Sequence, residues 1–578
     1  MRWTPPTISV IPRGMIPNRW DLLAFPLILG LLFLLAAGAR QMTAPMTAPE
    51  AVALSLNPDH LPGYALRTTL RMLAAMAASL LFTFTYATLA AKSRRAELLL
   101  IPVLDVLQSV PVLGYVSFTV TFFLSLFPGN LLGAEFAAIF AIFTSQAWNM
   151  AFSFYQSLRT VPKDLEEVTR SFHFSAWQRF WRLEVPFAMP GLIWNMMMSM
   201  SGGWFFVVAA EAIAVGGYNV RLPGVGSYVA LAIERRDLGA IGWAVLTMLV
   251  VILAYDQLLF RPLIAWADKF RFEMSAGEEA PESRLLMLFR RARLLSAAGQ
   301  PLGRLLRRIA IWRGFSFGVR PAAAPAPRSL RLLGDGVWYA IVVAITVYVV
   351  VMAARYVSTR LGWHDLQVAL SLGAFTLLRV AVLILLATIV WLPLGSLIGL
   401  RPRLAQKVQP VAQFLAAFPA NLLFPVAVVG IVRFDLNPDI WLGLLMILGA
   451  QWYILFNVVA GASAFPHDLR DAATNLRIRG WQWWRQVTLP GVFPYYVTGA
   501  ITASGGCWNA SIVAESVSWG DTHLAAHGLG AYIAQATRDG DFPRIILGIA
   551  VMSVYVILFN RLLWRPLYGL AERRFRLD

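Results

Sequence analysis

The sequence predicts an all-α membrane protein built from two parallel six-helix repeats, and three observations support this prediction. The 578 residues are 58% hydrophobic and only 14% charged, whereas soluble domains usually carry about 25% charged residues. Apolar stretches of about 20 residues recur along the chain, and each is long enough to cross a bilayer as a helix. Residues of the first half recur in the second half at a nearly constant spacing. Because lipid offers no partners to backbone N–H and C=O groups, helices are the expected spanning form.

About 12 transmembrane helices are expected, with six in each half. In the first half the apolar stretches run over about 22–39, 64–91, 98–126, 130–153, 187–218 and 239–262. In the second half they run over about 335–355, 367–400, 408–432, 438–462, 491–519 and 543–564.

Basic residues predict how these helices are oriented, because cytoplasmic loops are enriched in Lys and Arg. Arg2, Arg13 and Arg19 precede the first stretch, and a second basic loop, KSRRAE at 92–97, follows two spans later. With an even number of spans in each half, both chain termini are predicted to be cytoplasmic. The net charge of +18 is therefore attributed to topology, and no nucleic-acid partner is predicted.

The internal repeat is traced by pairs of residues that lie 304 positions apart. Such pairs are Asp164 and Asp468, Trp177 and Trp481, Pro186 and Pro490, Trp204 and Trp508, and Glu211 and Glu515. Upstream the spacing changes to 308, as between Arg71 and Arg379. A length change of four residues is therefore predicted near the fourth span. Two halves of the same orientation are related by an axis along the membrane normal and enclose a central path, which favours transport.

A short charged and aromatic segment follows the fourth span of each half. Its sequence is DLEEVTRSFHFSAWQRFWRLEVP at 164–186 and DLRDAATNLRIRGWQWWRQVTLP at 468–490. Each copy has acidic residues in its first turn, as helix N-termini do. The first copy is expected to expose an aromatic face: Phe172, Trp177, Phe180 and Trp181. Because such a face is unfavourable in water, the segment is expected to lie on the membrane or to dock into a partner protein.

This layout resembles the permease subunits of ABC importers, and among them the nitrate, sulfonate and taurine class. That family has a cytoplasmic loop with an EAA helix, then a glycine, and then an ending similar to W-x-x-F-x-x-V-x-L-P. The two segments resemble this pattern, but His173 and Arg477 stand where the family usually has the glycine. The first copy also has Val168 and Thr169 where the second keeps Ala472 and Ala473. SGGWFFVVAAEAI and GGCWNASIVAESV are also similar to the family's fifth helix. The resemblance covers about residues 64–273 and 367–578 and implies a type I ABC importer-like fold.

In that family the loop is a coupling helix that docks into a groove of the ATP-binding subunit. The resemblance therefore implies two fused permease domains that serve two ABC ATP-binding subunits. The residues expected to couple to the ATPases are Asp164, Glu167, Phe172, Trp177, Phe180, Asp468, Asp471, Leu476, Trp481 and Trp484.

No ATPase site is predicted within this chain. A Walker A loop ends in Gly-Lys-Ser or Gly-Lys-Thr. None of the four lysines follows a glycine: Lys92, Lys163, Lys269 and Lys407. The chain is thus expected to be a permease component and not an enzyme, with no catalytic residue, metal ligand or cofactor of its own. The resemblance implies that the partner subunits bind ATP and Mg²⁺.

Five regions are expected along the chain. They are an N-terminal helix and outer loop (1–62), a first permease domain (63–273), a basic cytoplasmic linker (274–334), an additional transmembrane helix and outer loop (335–366), and a second permease domain (367–578). The linker contains short basic amphipathic segments, which suit a position on the anionic inner leaflet. A docking surface for a partner protein is the alternative.

Six matched residues within or beside the spans are candidates for the transport path or its gate: Arg71, Trp204, Glu211, Arg379, Trp508 and Glu515. Carboxylates inside a membrane are costly and usually face a cavity or a partner. The alternative role is structural. The charged residues would then form polar bonds between helices or lie at the membrane interface, and the tryptophans would pack between helices.

The resemblance implies an importer, and a small oxyanion such as nitrate, a sulfonate or bicarbonate is the expected solute. A periplasmic or lipid-anchored solute-binding protein would deliver it to outer loops around 219–238 and 520–542. The expected location is the bacterial inner membrane, crossed many times and in contact with membrane lipid. The alternative is a secondary transporter that works without an ATPase and has no use for the cytoplasmic segments. A membrane enzyme is disfavoured, because the six histidines are scattered and unmatched between the halves.

Overall fold

The structure is a computed structural model, and it describes residues 18, 20–42, 54–109, 112–128, 130–215, 218–270, 284–312, 328–463 and 467–574. Arg2, Arg13 and Arg19, on which the predicted topology depends, lie outside the described residues. Helices dominate the described chain, and two short β-hairpins accompany them.

The first half contains eleven described helices and one hairpin. The helices are α1 (Asp21–Met42), α2 (Leu61–Lys92), α3 (Arg94–Ser109), α4 (Val112–Leu126), α5 (Leu132–Arg159), α6 (Lys163–Ser171), α7 (Ala176–Arg179), α8 (Val185–Glu211), α9 (Val225–Glu234), α10 (Leu238–Tyr255) and α11 (Arg261–Ala267). The hairpin pairs β1 (Ala212–Val215) with β2 (Tyr218–Arg221) in antiparallel register, with Ala212 opposite Arg221.

The linker contributes α12 (Arg284–Arg291) and α13 (Arg293–Ile311). The helices of the second half are α14 (Arg328–Ser358), α15 (Trp363–Gly399), α16 (Pro402–Ala417), α17 (Phe424–Arg433), α18 (Pro438–Leu445), α19 (Ile447–Ser463), α20 (His467–Asn475), α21 (Gly480–Trp483), α22 (Leu489–Ala514), α23 (Leu529–Asp539), α24 (Phe542–Phe559) and α25 (Arg565–Arg574). Strands β3 (Ser516–Trp519) and β4 (Thr522–Ala525) form the second hairpin, with Ser516 opposite Ala525.

Each of the twelve apolar stretches predicted from the sequence overlaps a described helix or helix pair, but the stretches are not all single straight spans. Among the described residues, six helices are long and apolar enough to cross a membrane, and eight if each of two bent helix pairs counts as one span. One of these breaks lies between α16 and α17, where the axis turns by 70°. Pro419 lies at this break, and a proline removes a backbone donor and disfavours helix in the residue before it.

The helices recur in the second half with the same irregularities. A π-helical turn at Phe180–Glu184 has its counterpart at Trp484–Thr488, and one at Asp256–Phe260 has its counterpart at Asn560–Trp564. These turns lie 304 positions apart, as the sequence repeat predicts. In the first half α4 has 15 residues, whereas α17 has 10. The spacing changes from 308 between Pro111 and Pro419 to 304 between Glu135 and Asp439, so the predicted length change of four residues falls between these pairs, at the end of the third span and before the fourth.

Two predicted spans were too long. The stretches 187–218 and 491–519 were expected to be continuous helices, but α8 ends at Glu211, α22 ends at Ala514, and a hairpin follows each. The reason is a tertiary contact. Each helix end presents a buried glutamate, and the chain folds back over its carboxylate, as described below.

Each half has its own apolar core, and the halves also contact each other. Trp204 lies in the first core and Trp508 in the second, and both are fully buried. Between the halves, the Asn421 side-chain amide donates to the backbone oxygen of Phe205 at 3.2 Å. Together with the two repeats, this architecture confirms the prediction of an all-α membrane protein.

Candidate functional site

A fully buried ion network joins three helices of the first half. Arg71 of α2 makes two bonds to Glu135 at the start of α5, from Nε to Oε2 at 2.6 Å and from Nη2 to Oε1 at 2.7 Å. Its Nη1 lies 2.6 Å from Oε1 of Glu211 at the end of α8, and the Thr68 hydroxyl donates to the same oxygen at 2.7 Å. Paired side-on contacts are the strong form of an Arg–carboxylate interaction. Because a buried charge without a partner is costly, these groups depend on one another.

The chain after the first hairpin is folded around Glu211. The backbone N–H of Gly226 donates to Oε2 of Glu211 at 2.7 Å, and the Ser227 hydroxyl donates to the backbone oxygen of Glu211 at 2.6 Å. A Cβ atom at Gly224 would lie 2.3 Å from Oε2 of the same glutamate. Glycine is therefore the residue that fits at the start of α9.

The second half contains a matching network, in which one of the three residues differs in type. Arg379 Nη1 lies 2.9 Å from Glu515 Oε1, and Arg379 Nη2 lies 2.8 Å from Oδ1 of Asp439. Thr376 donates to Glu515 at 2.9 Å, and the backbone N–H of Gly530 donates to its other carboxylate oxygen at 2.8 Å. The carboxylate at position 439 is an aspartate where the first half has a glutamate.

The second network reaches the protein surface, whereas the first does not. The Asp439 side chain is 38% exposed and that of Glu135 only 4%. His527 contacts Asp439 twice, through a backbone N–H bond of 2.7 Å and through Nδ1 at 2.9 Å from Oδ2. In the first half the matched position is Pro223, whose backbone oxygen accepts a bond from Arg71.

Sequence reasoning missed the third member of both networks. Glu135 and Asp439 are 304 positions apart and both are acidic, so the repeat spacing carried a signal that could have found them. The segment DTHLAAH at 521–527 belongs to this region, since it contains His527. Among the described residues, no group of three His, Cys, Asp or Glu side chains could hold a metal ion.

A cavity of about 720 Å³ lies between the two halves. Residues of α5 and α8 line it from the first half, and residues of α19, α22, α24 and α25 line it from the second. Its polar lining consists of Thr144, Ser145, Asn149, Ser199, Ser201, Tyr453, Thr502, Asn509, Asn560 and Tyr568. Hydroxyl and amide groups of this kind can replace the hydration of a small polar solute.

The charge of this cavity has one sign. Among the described residues that line it, Arg561 and Arg565 are charged and none is acidic. Both arginines follow α24 and are exposed. In the first half the residue matched to Arg565 is Arg261, whose Nε lies 3.2 Å from Oδ2 of Asp256. Asn560 occupies the position matched to Asp256, so the second half lacks this neutralising carboxylate.

The two halves line the cavity unequally. Asn149 is matched by Tyr453, and Phe205 is matched by Asn509. The side-chain Oδ1 of Asn509 also accepts a bond from the backbone N–H of Val112 at 2.7 Å, which joins α22 to α4 of the other half. A solute in this cavity would therefore meet different groups on its two sides.

The six residues predicted for the path or gate do not line this cavity. The four charged ones are joined in the two ion networks, and the two tryptophans are packed in the cores. Their contacts are those of the structural alternative. A role for them in gating stays a prediction.

The predicted cytoplasmic segments form matching helix–turn–helix elements, α6–α7 and α20–α21. His173 has φ of +53° and Arg477 has φ of +56°, so both adopt the left-handed conformation that favours glycine. The backbone N–H of Phe174 donates to the Thr169 oxygen, and that of Ile478 donates to the Ala473 oxygen, both at 3.0 Å. The turn is therefore the same in both copies, although neither has the glycine.

The side chains predicted to couple to ATPases are mostly exposed, with one correction. Phe172, Asp164, Glu167, Asp471, Leu476 and Trp481 are exposed, and Trp177 and Trp484 are half-buried. The side chain of Asp468 lies outside the described residues. Phe180 was wrongly expected on the exposed face. It is buried, with its ring 6.2 Å from that of Phe84, because the chain continues from α7 through a π-helical turn into α8.

The fold and these sites define a membrane component of a transport system, and comparison with known proteins identifies the family. The family described as the binding-protein-dependent transport system inner membrane component matches residues 83–259 and 392–576. The chain belongs to this family and carries its domain twice. The prediction of a tandem permease of the ABC importer type, a multi-pass inner-membrane protein, is thereby confirmed. Permeases of this family are not themselves enzymes.

Individual relatives match one stretch of the chain. The nitrate import permease protein NrtB of Leptolyngbya laminosa is 30% identical over 189 residues, which are 33% of this chain and 64% of the relative. The bicarbonate transport system permease protein CmpB of Synechococcus elongatus is 31% identical over 186 residues, which are 32% of this chain and 64% of the relative. The glycine betaine/proline betaine transport system permease protein ProW of Escherichia coli is 30% identical over 165 residues, 28% of this chain and 42% of the relative. These matches span less than two thirds of each relative.

Proposed function

We propose that the chain is the fused two-domain permease of an ATP-driven importer for a small oxyanion of the nitrate, sulfonate or bicarbonate kind. The observation that carries this proposal is the charge of the central cavity, which has two arginines and no carboxylate among its described lining residues. Such a cavity attracts anions and repels cations. Similarity to permeases named for nitrate and bicarbonate supports the same class of solute.

The cavity opens toward the cytoplasm in this proposal. Arg561 and Arg565 lie after α24, at the end of the bundle where the helix–turn–helix segments precede α8 and α22. At the opposite end the halves touch. There the Gly520 N–H donates to the Ile233 oxygen at 2.9 Å, and Arg236 lies 2.8 Å from Asp521. A periplasmic or lipid-anchored solute-binding protein would dock on this closed end, around 219–238 and 520–542.

Each permease domain, 63–273 and 367–578, would hold one ATP-binding subunit through its cytoplasmic segment. The exposure of Phe172, Leu476 and Trp481 supports a docking role, because large apolar side chains are unfavourable in water. ATP and Mg²⁺ would be bound by those partner subunits. In this arrangement both chain termini lie in the cytoplasm.

Reconstituted transport tests the proposal. The chain is purified with its ATP-binding and solute-binding partners and placed in proteoliposomes, and uptake of labelled nitrate, taurine and bicarbonate is measured with ATP on the ATPase side. We expect uptake of one of these anions, dependent on ATP and lost with an ATPase that cannot hydrolyse it. Uptake driven by an ion gradient without ATP would identify a secondary transporter instead. Uptake of a cationic or zwitterionic solute alone would contradict the anion assignment.

A further inference from the structure

The linker helices have a composition that the transport path does not explain. Residues 284–312 contain seven arginines and no aspartate or glutamate, interleaved with Leu, Ile, Phe and Trp. One sign of charge combined with apolar residues at helical spacing is typical of helices that lie in the plane of a membrane surface. A helix of a soluble surface would normally carry charges of both signs.

The structure leaves the apolar residues of α13 uncovered. Leu305 and Leu306 are more than half exposed, and Ile309 is 43% exposed. Arg307 and Arg308, in the same two turns, are exposed as well. Exposed apolar side chains are unfavourable in water, and basic side chains among them favour an anionic apolar boundary.

Contacts with the residues before α1 show where the linker helices lie along the helix bundle. The Asn18 side-chain amide donates to the backbone oxygen of Arg291 at 2.7 Å, and the Arg291 guanidinium lies 5.3 Å from the ring centre of Trp20. Asn18 and Trp20 immediately precede α1, the first apolar helix. The linker therefore lies at the level where α1 begins, which is where a membrane–water boundary is expected.

The other end of the linker contacts the first cytoplasmic segment. The indole Nε1 of Trp177 donates to the backbone oxygen of Ile309 at 2.7 Å, and Nε2 of Gln178 donates to that of Ile311 at 2.8 Å. Trp177 and Gln178 lie in α7, at the start of an apolar helical stretch that runs to Glu211. Hence α13 lies beside the entry of a helix long enough to span a membrane, and α12 contacts the residues that precede the apolar helix α1.

We infer that the linker is a binding site for anionic lipid headgroups, in which α13 lies on the inner leaflet with Arg304, Arg307 and Arg308 contacting phosphate groups. The choice of a membrane over a protein partner rests on the uniform positive charge and on the position at the start of two apolar helices. Bound lipid would also hold α13 against Trp177 and would thereby stabilise the position of the first helix–turn–helix segment, α6–α7. This inference does not depend on the solute or on the ATPase.

A fluorescent reporter on α13 tests the inference with the full chain in nanodiscs. Gln300 is exposed and Cys507, the only cysteine, is buried, so a Gln300→Cys variant can be labelled with a polarity-sensitive dye. The discs contain phosphatidylcholine with a rising fraction of phosphatidylglycerol. We expect the emission to shift to the blue as the anionic fraction rises, and the shift to weaken in high salt.

Charge variants and a matched control complete the test. Each cation near an anionic surface contributes about fivefold in affinity. R307Q/R308Q should therefore need a several-fold higher phosphatidylglycerol fraction to reach half of the emission shift. R307K/R308K keeps both charges and should respond as the parent does. R401Q/R403Q is the control and should not alter the emission response. Equal emission in neutral and anionic discs, or an equal effect of the R401Q/R403Q control, would overturn the inference. A shift that occurs only when the ATP-binding subunit is added would assign α13 to that protein instead.

Discussion

Arg71 Nη1 lies 2.6 Å from Glu211 Oε1, and both side chains are fully buried. This ion pair joins the second span to the end of the helix that lines the central cavity. Its counterpart between Arg379 and Glu515 occupies the same place in the second half. The two networks contact the helix ends after which the two hairpins follow, so we expect these networks to govern stability rather than solute choice.

Removal of the central arginine should destabilise the first half. In Arg71→Met, Glu135 and Glu211 are left buried without a counter-charge, and loss of one partner of a buried pair costs about 3–5 kcal/mol. Thermal unfolding of the detergent-solubilised chain should therefore begin at a lower temperature. The triple variant R71M/E135Q/E211Q should recover part of the loss, because the uncompensated charges are gone. An unchanged midpoint for R71M would contradict this role.

The matched substitution in the second half should be milder. In Arg379→Met, Asp439 keeps its bonds to His527 and is 38% exposed, so water can solvate part of its charge. We expect a loss of stability smaller than that of R71M in the same unfolding assay. A loss as large as that of R71M would show that exposure of Asp439 does not relieve the network.

The glycine beside Glu211 should not tolerate a side chain. A Cβ at Gly224 would lie 2.3 Å from the carboxylate, whereas a Cβ at Gly242 would have no neighbour within 4 Å. Gly224→Ala should therefore cost about 1–3 kcal/mol, as overpacking does. Gly242→Ala is the control and should not lower the yield or the unfolding midpoint, because alanine is favoured over glycine inside a helix. Equal yields and unfolding midpoints of the two variants would contradict the close contact between Gly224 and the Glu211 carboxylate.

The cavity arginines should affect solute transport and not folding. R561Q/R565Q removes the two positive charges of the cavity, and a lost contact to a charged group costs about 1.5–3 kcal/mol, or roughly tenfold or more in affinity. We expect anion uptake at low solute concentration to fall by at least that factor, with normal assembly. Arg261→Gln is the matched control, because Arg261 pairs with Asp256 and lies outside the cavity lining. Normal uptake by R561Q/R565Q would contradict the assignment of these residues to the path.

The two cytoplasmic segments should contribute unequally to ATPase binding. Trp481 is 73% exposed, whereas the indole of Trp177 is bonded to Ile309 of the linker. Trp481→Ala should therefore weaken binding of the ATP-binding subunit more than Trp177→Ala does. Binding is measured by titrating the subunit onto the immobilised chain. Large aromatic residues at interface centres typically cost about 2 kcal/mol or more when removed. The reverse order would mean that Trp177 leaves the linker to dock.

The helical class, the repeat and the two short segments before α8 and α22 could be predicted from the sequence, because they follow from hydropathy and from residue spacing. Arg71 and Glu211 were also matched to Arg379 and Glu515 in advance. Their pairing could not be predicted, since it depends on how helices separated by 140 residues pack together. Glu135 and Asp439 were missed for the same reason, although they lie 304 positions apart, as other matched residues of the repeat do.

Local irregularities were the second source of error. The hairpins after Glu211 and Ala514 replaced predicted helix, because tertiary bonds to a buried carboxylate outweighed the apolar pattern. A π-helical turn directs Phe180 into the core instead of outward. His173 and Arg477 stand where the resemblance implies a glycine, and both residues nevertheless adopt the left-handed conformation. The hydrophobic periodicity of the sequence does not indicate where a helix ends in a hairpin, gains a π-helical turn or includes a left-handed residue.

The mass of the purified complex tests the tandem-permease proposal most directly. The tagged chain is expressed with its neighbouring genes, extracted in mild detergent and weighed by native mass spectrometry. We expect two ATP-binding subunits for each chain, and loss of one when either 164–180 or 468–484 is replaced by a flexible linker. A chain that purifies alone and still moves solute across vesicles without ATP would contradict the proposal.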